Sequence, residues 1–444
     1  MAEPPAEWME ELSEFLRIPS VSADPERAGD VMRAAEWVRD FIRAAGGEAE
    51  VVETQNKPLV IGELRASQGA NDAATVIAYG HFDVQPESPL ELWESPPFEP
   101  TVRDGWLFAR GVADDKGQLY LLLKAAALLA ADRSLPVNVR FTCDGEEESG
   151  GHSIVDFLEA DERGGDACVI FDGNMLAPGR PVFFIGTRGI VYLHVRVRTG
   201  ERDLHSGVFG GAAMNASHVL MQVLGAVLPR DGRVPEPLRA GIVEPSDDEI
   251  ESWRALEPGD EVLAAQGARP ADPRAAEDVY LRTFAEPAVD VHGLVGGEPK
   301  LQKTVLPVEA EANVSIRLVP GQDHSAIAAE MERLMLEAAP DGAEVEVEVL
   351  ASAPAALVRP DDPAITLGQD AFERALGARP LLIRVGGSLP VMAALEREGI
   401  PTILTGFDLP EGNIHSPNER FRVEHIPLGV EAAQELYRSL AKLR

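Results

Sequence analysis

A strand-like run, Val137-Asn138-Val139-Arg140-Phe141, empties directly into Thr-Cys-Asp-Gly-Glu-Glu-Glu-Ser-Gly-Gly at residues 142–151. A fold that buries the run as a strand must leave Asp144, Glu146, Glu147 and Glu148 crowded at its C-terminal edge. Open α/β sheets place their ligand sites at that edge. Carboxylates packed this closely raise one another's pKa, and the flanking glycines argue against a long helix that would spread them out. A bound cation relieves the repulsion, and a carboxylate left off the cation can then act as a base. A lone glutamate run is more often a solvated acidic turn. What decides against that here is its company elsewhere in the chain.

Helical spacing of apolar residues covers 8–18 and 31–45, and Gly46-Gly47 ends the second segment. Residues 49–52, 59–64, 75–79, 106–110, 137–141 and 167–171 read as strands, with helices at 118–131 and 153–160 between them. This alternation predicts an α/β fold, a mainly parallel (mixed) sheet with helices on both faces. The rhythm changes near Arg188. Residues 189–198 alternate apolar and polar as a half-exposed strand does. A helix at 215–228, strands at 309–318 and 344–350 and a helix at 325–339 predict a smaller inserted α+β layer. Residues 229–300, rich in Pro, Gly and acids, read as an elaboration of it. The first rhythm returns with helices at 363–376, 390–398 and 427–442 and strands at 381–385 and 402–405. The expected division is a discontinuous larger domain, 1–187 with 356–444, and an inserted domain, 188–355.

Two domains also suit the length of 444 residues. The net charge of −34 repels phosphates, which excludes nucleic acid and anionic membrane surfaces as expected partners. Cys143 and Cys168 are the only cysteines; both fall in strand-like segments, so buried thiols are expected rather than a disulfide. The N-terminal segment is acidic and amphipathic, unlike a signal peptide. No apolar run reaches the ~20 residues of a membrane span. A cytoplasmic location is the expectation.

Histidines and carboxylates recur at the ends of the predicted strands. His81 and Asp83 follow the strand at 75–79. Asp114 and Asp115 lie in a Gly-flanked loop before the helix at 118–131, Asp172 ends the strand at 167–171, and His415 sits in the polar loop 412–419. With Glu147 and Glu148, this mixed imidazole and carboxylate set suits zinc, with manganese or cobalt as substitutes. More carboxylates than one ion needs points to two ions sharing a bridging carboxylate. Each residue singly would read as a cap or a satisfied core group. Their recurrence at strand ends argues for a site.

These motifs carry a resemblance. Gly80-His81-Phe82-Asp83-Val84-Gln85-Pro86, Arg110-Gly111-Val112-Ala113-Asp114-Asp115-Lys116-Gly117 and Glu147-Glu148-Ser149-Gly150 resemble the di-zinc aminoacylase/carboxypeptidase family of metallopeptidases. Asp203-Leu204-His205-Ser206-Gly207, Ser315-Ile316-Arg317-Leu318-Val319-Pro320 and Gly386-Gly387-Ser388 are similar to its carnosinase and cytosolic nonspecific dipeptidase branch. The resemblance implies His81 and Asp172 on one zinc, Glu148 and His415 on the other, and Asp114 bridging them. It implies Glu147 as general base and Asp83 as the partner that orients His81. It also implies a cis peptide between Asp114 and Asp115. Three consecutive glutamates leave the base open by one position; the following Ser-Gly selects Glu147 over Glu146. His205 is implied to reach the site of a partner subunit, which requires a homodimer formed through the inserted domain. Arg317 would clamp the substrate carboxylate, and Thr304, Gly387 and Ser388 would contact the substrate backbone. The expected activity is hydrolysis of a dipeptide or short peptide, with deacylation of N-acyl amino acids, as by a succinyl-diaminopimelate desuccinylase, the alternative. An inactive relative acting as a binding module is the third reading, and the full set of ligand positions argues against it.

Overall fold

Strand β3, Thr75–His81, is buried along nearly its whole length, as a strand covered on both faces must be. The computed structural model describes residues 3–298, 300–387 and 389–444. With β1 (Glu48–Val52), β2 (Leu59–Leu64), β4 (Asn138–Asp144), β5 (Ala167–Phe171) and Thr402–Thr405, β3 builds a six-stranded sheet in the order β1-β2-β4-β3-β5-(Thr402–Thr405). The last four run parallel, and β2 and β1 add an antiparallel edge. The sheet is therefore mixed, parallel where its strand ends carry the acidic residues. Register keeps those ends level: His81 pairs with Asp144, and Thr405 with Phe171.

Helix α1 (Ala6–Leu16) packs against α3 (Lys116–Ala131), while α2 (Ala28–Ala44) and α3 pack against the sheet. The first three turns of α3 are buried all round, which its run of Leu and Ala permits and which marks a helix inside a core. Gly80 allows α3 to approach β3: a Cβ there would lie 2.7 Å from Asp115 Oδ2 and 2.9 Å from Leu119 Cδ1. Cys143 and Cys168 are buried free thiols on β4 and β5.

Residues 1–185, 358–383 and 394–444 form this first unit; residues 186–357 and 384–393 form a second. The second unit holds a four-stranded antiparallel sheet. Its strands are β6 (Gly189–Arg198), β7 (Ala288–Val295), β8 (Glu309–Leu318) and β9 (Glu344–Ala353), in the order β7-β8-β6-β9. Val191, Leu193, Val195 and Val197 alternate inward along β6. With Ile316 of β8 they pack against helices Ala216–Gly225 and His324–Ala338. A buried ion pair, Arg384 Nε to Glu249 Oε1 at 2.7 Å, lies in the same unit. Among the described residues no helix is long and apolar enough to cross a membrane.

Candidate metal centre

His81 ends β3 and is fully buried. Its Nδ1 lies 3.1 Å from the Asp83 carbonyl oxygen and 3.3 Å from Asp83 Oδ1. A proton held there by Asp83 leaves Nε2 facing outward from the strand end, 2.9 Å from Asp114 Oδ1 and 4.0 Å from Asp172 Oδ1. Asp172 is the first residue after β5. The other oxygen of Asp114, Oδ2, lies 2.9 Å from His415 Nε2, which is 3.0 Å from Glu148 Oε2. One carboxylate thus serves two three-residue groups, His81–Asp114–Asp172 and Asp114–Glu148–His415.

The donor set can be tested against a metal. Zinc bonds of about 2.0–2.2 Å at tetrahedral angles place neighbouring donor atoms about 3.4 Å apart. The histidine-to-carboxylate separations, 2.9 to 4.0 Å, bracket that value, and all ligand atoms of each group lie within 4.8 Å of one another. Imidazole nitrogens with carboxylate oxygens are the ligands zinc takes, and manganese and cobalt accept them too. The residues fit two divalent ions.

Charge within the cluster is strongly coupled. Burial works against a charged His81, but its hydrogen bonds to Asp114 and Asp83 outweigh this and hold its pKa well above the usual value. His415 is pushed up to about 10 by Asp114 and then Glu148. Burial opposes the Asp114 charge, yet the two histidines hold that carboxyl well below the usual range. Asp172 moves the other way, raised by burial and then by Asp114. Glu147 is raised to about 7, mainly by burial, with His81 opposing and Asp114 and Glu148 adding to the rise.

The three glutamates part in role at the turn after β4. Glu146 is buried and fully used: Oε1 accepts the Ser153 N–H at 2.8 Å and Oε2 the Lys57 N–H at 3.2 Å. A Cβ on Gly151 would collide with its carboxyl, so Gly151 makes room for this latch. Glu148 is held from two sides, its backbone N–H donating to Asp83 Oδ2 at 3.1 Å and its Oε2 accepting from Gln85 Nε2 at 2.8 Å. Glu147 shares in none of these bonds. The Asp114–Asp115 peptide is cis, as expected, and Asp115 Oδ2 accepts the His81 N–H at 3.1 Å.

The first unit brings together His81, Asp83, Asp114, Glu147, Glu148, Asp172 and His415. The second unit carries His205, Thr304, Arg317 and Gly387. His205 is exposed in the short strand Leu204–His205, its Nδ1 accepting the Gly207 N–H at 3.0 Å. The Thr304 carbonyl accepts the Ser206 N–H at 3.0 Å. Arg317 lies in β8 opposite Ile190, and the Gly387 carbonyl accepts the Arg188 N–H at 3.1 Å. Ser388 lies outside the described residues.

Three polar residues that the sequence reading assigned no role hold the loops. Gln85 orients Glu148 as above. Gln118, in the first turn of α3, donates to the carbonyls of Ala113 at 2.8 Å and Gly173 at 3.1 Å and accepts from Phe407 N–H at 2.7 Å. It ties together the segments that lead to Asp114, Asp172 and His415. A glutamine just ahead of the apolar run that begins at Leu119 was the available signal. Glu419 is the third, fully buried although it ends a polar loop. Its signal was a period of two with buried Phe421 in the strand that follows.

Comparison with known proteins extends these findings to the whole chain. The pattern of peptidase family M20/M25/M40 matches residues 77–439, from β3 to the last long helix. A cysteinylglycine-S-conjugate dipeptidase of Corynebacterium striatum is 28% identical, over 94% of this chain and 93% of its own. The human Beta-Ala-His dipeptidase is 26% identical, over 98% of this chain and 90% of its own. The crystal structure of the M20 family metallo-carboxypeptidase Sso-CP2 from Sulfolobus solfataricus superposes with a TM-score of 0.82 at 25% identity, covering 99% of this chain and 100% of that one. With a match that spans most of its length and encloses the whole acidic cluster, the chain belongs to peptidase family M20/M25/M40 and is a peptidase.

Proposed function

We propose that the chain is a dizinc dipeptidase, hydrolysing the peptide bond of dipeptides or short peptides. The observation that carries this reading is the placement of Asp114, one oxygen toward His81 and the other toward His415 and Glu148. The dipeptidase names of the relatives support the substrate class. His81 and Asp172 would hold one ion, Glu148 and His415 the other, with Asp114 shared. Two zinc ions there, or manganese or cobalt in their place, would polarise the scissile carbonyl and ease deprotonation of the attacking water.

The chain's own residues supply the rest. Glu147, raised toward neutrality and with its carboxylate uncommitted to the latch bonds, takes a proton from the attacking water and returns it to the leaving amine. Asp83 fixes the His81 tautomer, its backbone carbonyl accepting from Nδ1, and holds the Glu148 backbone through Oδ2. Arg317 takes the peptide's terminal carboxylate, and Thr304, Gly387 and Ser388 contact its backbone. Arg188 is held down to about 10 by burial and then by the neighbouring charge of Arg317, with Asp290 opposing. His205 acts from a second copy of the chain on the oxyanion, in a homodimer formed through the second unit.

The test is hydrolysis of a dipeptide panel by protein stripped with chelator and reloaded with zinc, manganese or cobalt, beside Glu147→Gln. We expect metal-dependent cleavage that falls about 10²–10⁴-fold in Glu147→Gln while the variant keeps its two ions. Turnover of N-succinyl or N-acetyl amino acids alone would assign the site to deacylation instead. Activity surviving in Glu147→Gln would remove Glu147 as the base.

A further inference from the structure

Asp114 belongs to both ion groups, so an error in its position is felt twice. Its backbone lies in the loop between strand Trp106–Phe108 and α3, where no strand ladder holds it. The Glu419 carboxylate holds it instead. Oε1 accepts the N–H groups of Ala113 at 2.9 Å and Asp114 at 3.2 Å. Oε2 accepts the Gly111 N–H at 3.0 Å and Arg110 Nη1 at 2.7 Å. Four donors converge on one fully buried anion, and charge-assisted bonds of this kind are the strong ones.

Glu419 is itself fixed in register. The Ala109 N–H donates to its carbonyl at 3.2 Å, and Arg420 pairs with Phe108 in the ladder that begins one residue later. On its other side runs the loop carrying His415. The Arg420 N–H closes that loop onto the Gly412 carbonyl at 2.8 Å. Asn418 anchors it by donating to the Leu92 carbonyl and accepting the Glu94 N–H, both at 2.8 Å. One side chain therefore joins the loop of the shared ligand to the loop of a ligand in the second group.

We propose that Glu419 is a positioning residue for the metal centre: through the three backbone N–H groups it accepts, those of Gly111, Ala113 and Asp114, it sets Asp114 where both ion groups share it, and so sets the affinity for both ions. The inference rests on the two-ion reading above. Arg110 lets its positioning part be separated from its part in stability. Removing Arg110 strips one donor and leaves a buried charge short of a partner, but the three backbone N–H groups stay on Glu419. Glu419→Gln keeps the volume and turns one oxygen into an N–H₂ group that faces donors, whichever way the amide is placed.

The experiment is zinc titration of the full chain against a chromophoric chelator, with thermal unfolding recorded in parallel, for wild type, Glu419→Gln, Glu419→Asp and Arg110→Met. We expect two ions on wild type and binding of both weakened about 10–100-fold in Glu419→Gln. Glu419→Asp should fall between the two, and it replaces Glu419→Gln in the comparison if the glutamine variant does not fold. Arg110→Met should lose thermal stability yet keep an affinity close to wild type. Wild-type affinity in Glu419→Gln, or an equal loss of affinity in Arg110→Met, would overturn the inference and leave the two-ion reading standing. Fewer than two ions on wild type would overturn that reading and the inference with it.

Discussion

Side chains that look alike in the sequence differ here by what they touch. Glu146 and Glu147 are neighbours, yet one is bonded through both oxygens and the other is uncommitted and raised toward neutrality. His81 and Asp172 could be read as candidates because each falls at the end of a buried strand, and Asp114, Glu148 and His415 because each lies in a turn or loop beside glycine or another polar residue. Glu419 and Gln118 were not legible, since their importance lies in backbone groups they bond and not in their own chemistry. His425 illustrates a buried titratable group remote from the reaction. Burial holds its pKa below the usual value, against the Phe407 hydrogen bond and Glu424 and with a smaller push down from Arg422, and Nδ1 lies 2.7 Å from the Phe407 carbonyl. The folded state thus favours the neutral ring donating through Nδ1. Above about pH 6.5, the usual histidine value, both folded and unfolded chains are neutral there and this contribution is intact. As the pH falls toward the depressed folded pKa, the unfolded chain takes up the proton first and stability declines. Thermal unfolding of wild type against His425→Gln should therefore show a steeper loss for wild type below about pH 6.5. Parallel curves would refute the assignment.

At the level of elements, legibility followed the sequence pattern rather than burial alone, since the fully buried strand Val182–Thr187 was missed. The strands at Leu59–Leu64, Ala167–Phe171, Gly189–Arg198, Glu309–Leu318 and Thr402–Thr405 coincide with the expected bounds, because each is either apolar throughout or alternates cleanly. Strand β7, Ala288–Val295, was missed. Only Val289 along it is buried, so it carries no inward–outward pattern within its Pro- and Gly-rich surroundings. Helices Asp247–Arg254 and Gly259–Ala265 in the same stretch were missed for a similar reason, being short and polar. The first turn of α3 yields a paired prediction. A Cβ on Gly117 would stand 1.9 Å from the Val112 carbonyl oxygen, so Gly117→Ala must displace the loop that carries Asp114. It should cost about 1–3 kcal/mol and weaken metal binding. Gly29, at the start of α2, offers open space instead: a Cβ there would meet nothing within 4 Å, and Gly29→Ala should stabilise by about 0.4–1 kcal/mol. Denaturant unfolding of the two variants measures both; equal and small effects would mean that the loop yields.

For the whole molecule, the change of strand rhythm near Arg188 is the sequence feature that suggests an insertion, and residues 186–357 with the segment 384–393 form the second unit. No periodicity marks that return, since contacts distant in sequence decide it. The assembly proposed above has a sharp consequence. If His205 acts on the partner's site, Glu147→Gln and His205→Ala are each inactive as homodimers, but a mixed dimer assembles one complete site. Randomly exchanged subunits should then recover about a quarter of the wild-type rate. A mixture that stays inactive after verified subunit exchange would place His205 in its own chain's site or outside the reaction.

The two ion groups are unequal neighbours of the solvent. The His81 side chain is 0% exposed and that of Asp172 15%, whereas His415 is 54% exposed, on a loop where it, Asn413 and Asn418 all take positive φ. An ion in the second group would sit behind the exposed His415 ring, whereas one in the first would sit against the fully buried His81 ring. Loading and emptying should therefore have an order. With a chelator in excess, metal loss followed by absorbance should proceed in two phases of equal amplitude, and His415→Ala should abolish the fast phase alone. A protein caught between the phases would carry one deeply held ion and an incomplete centre, so the free metal concentration around it would act as a dial on the fraction of competent molecules.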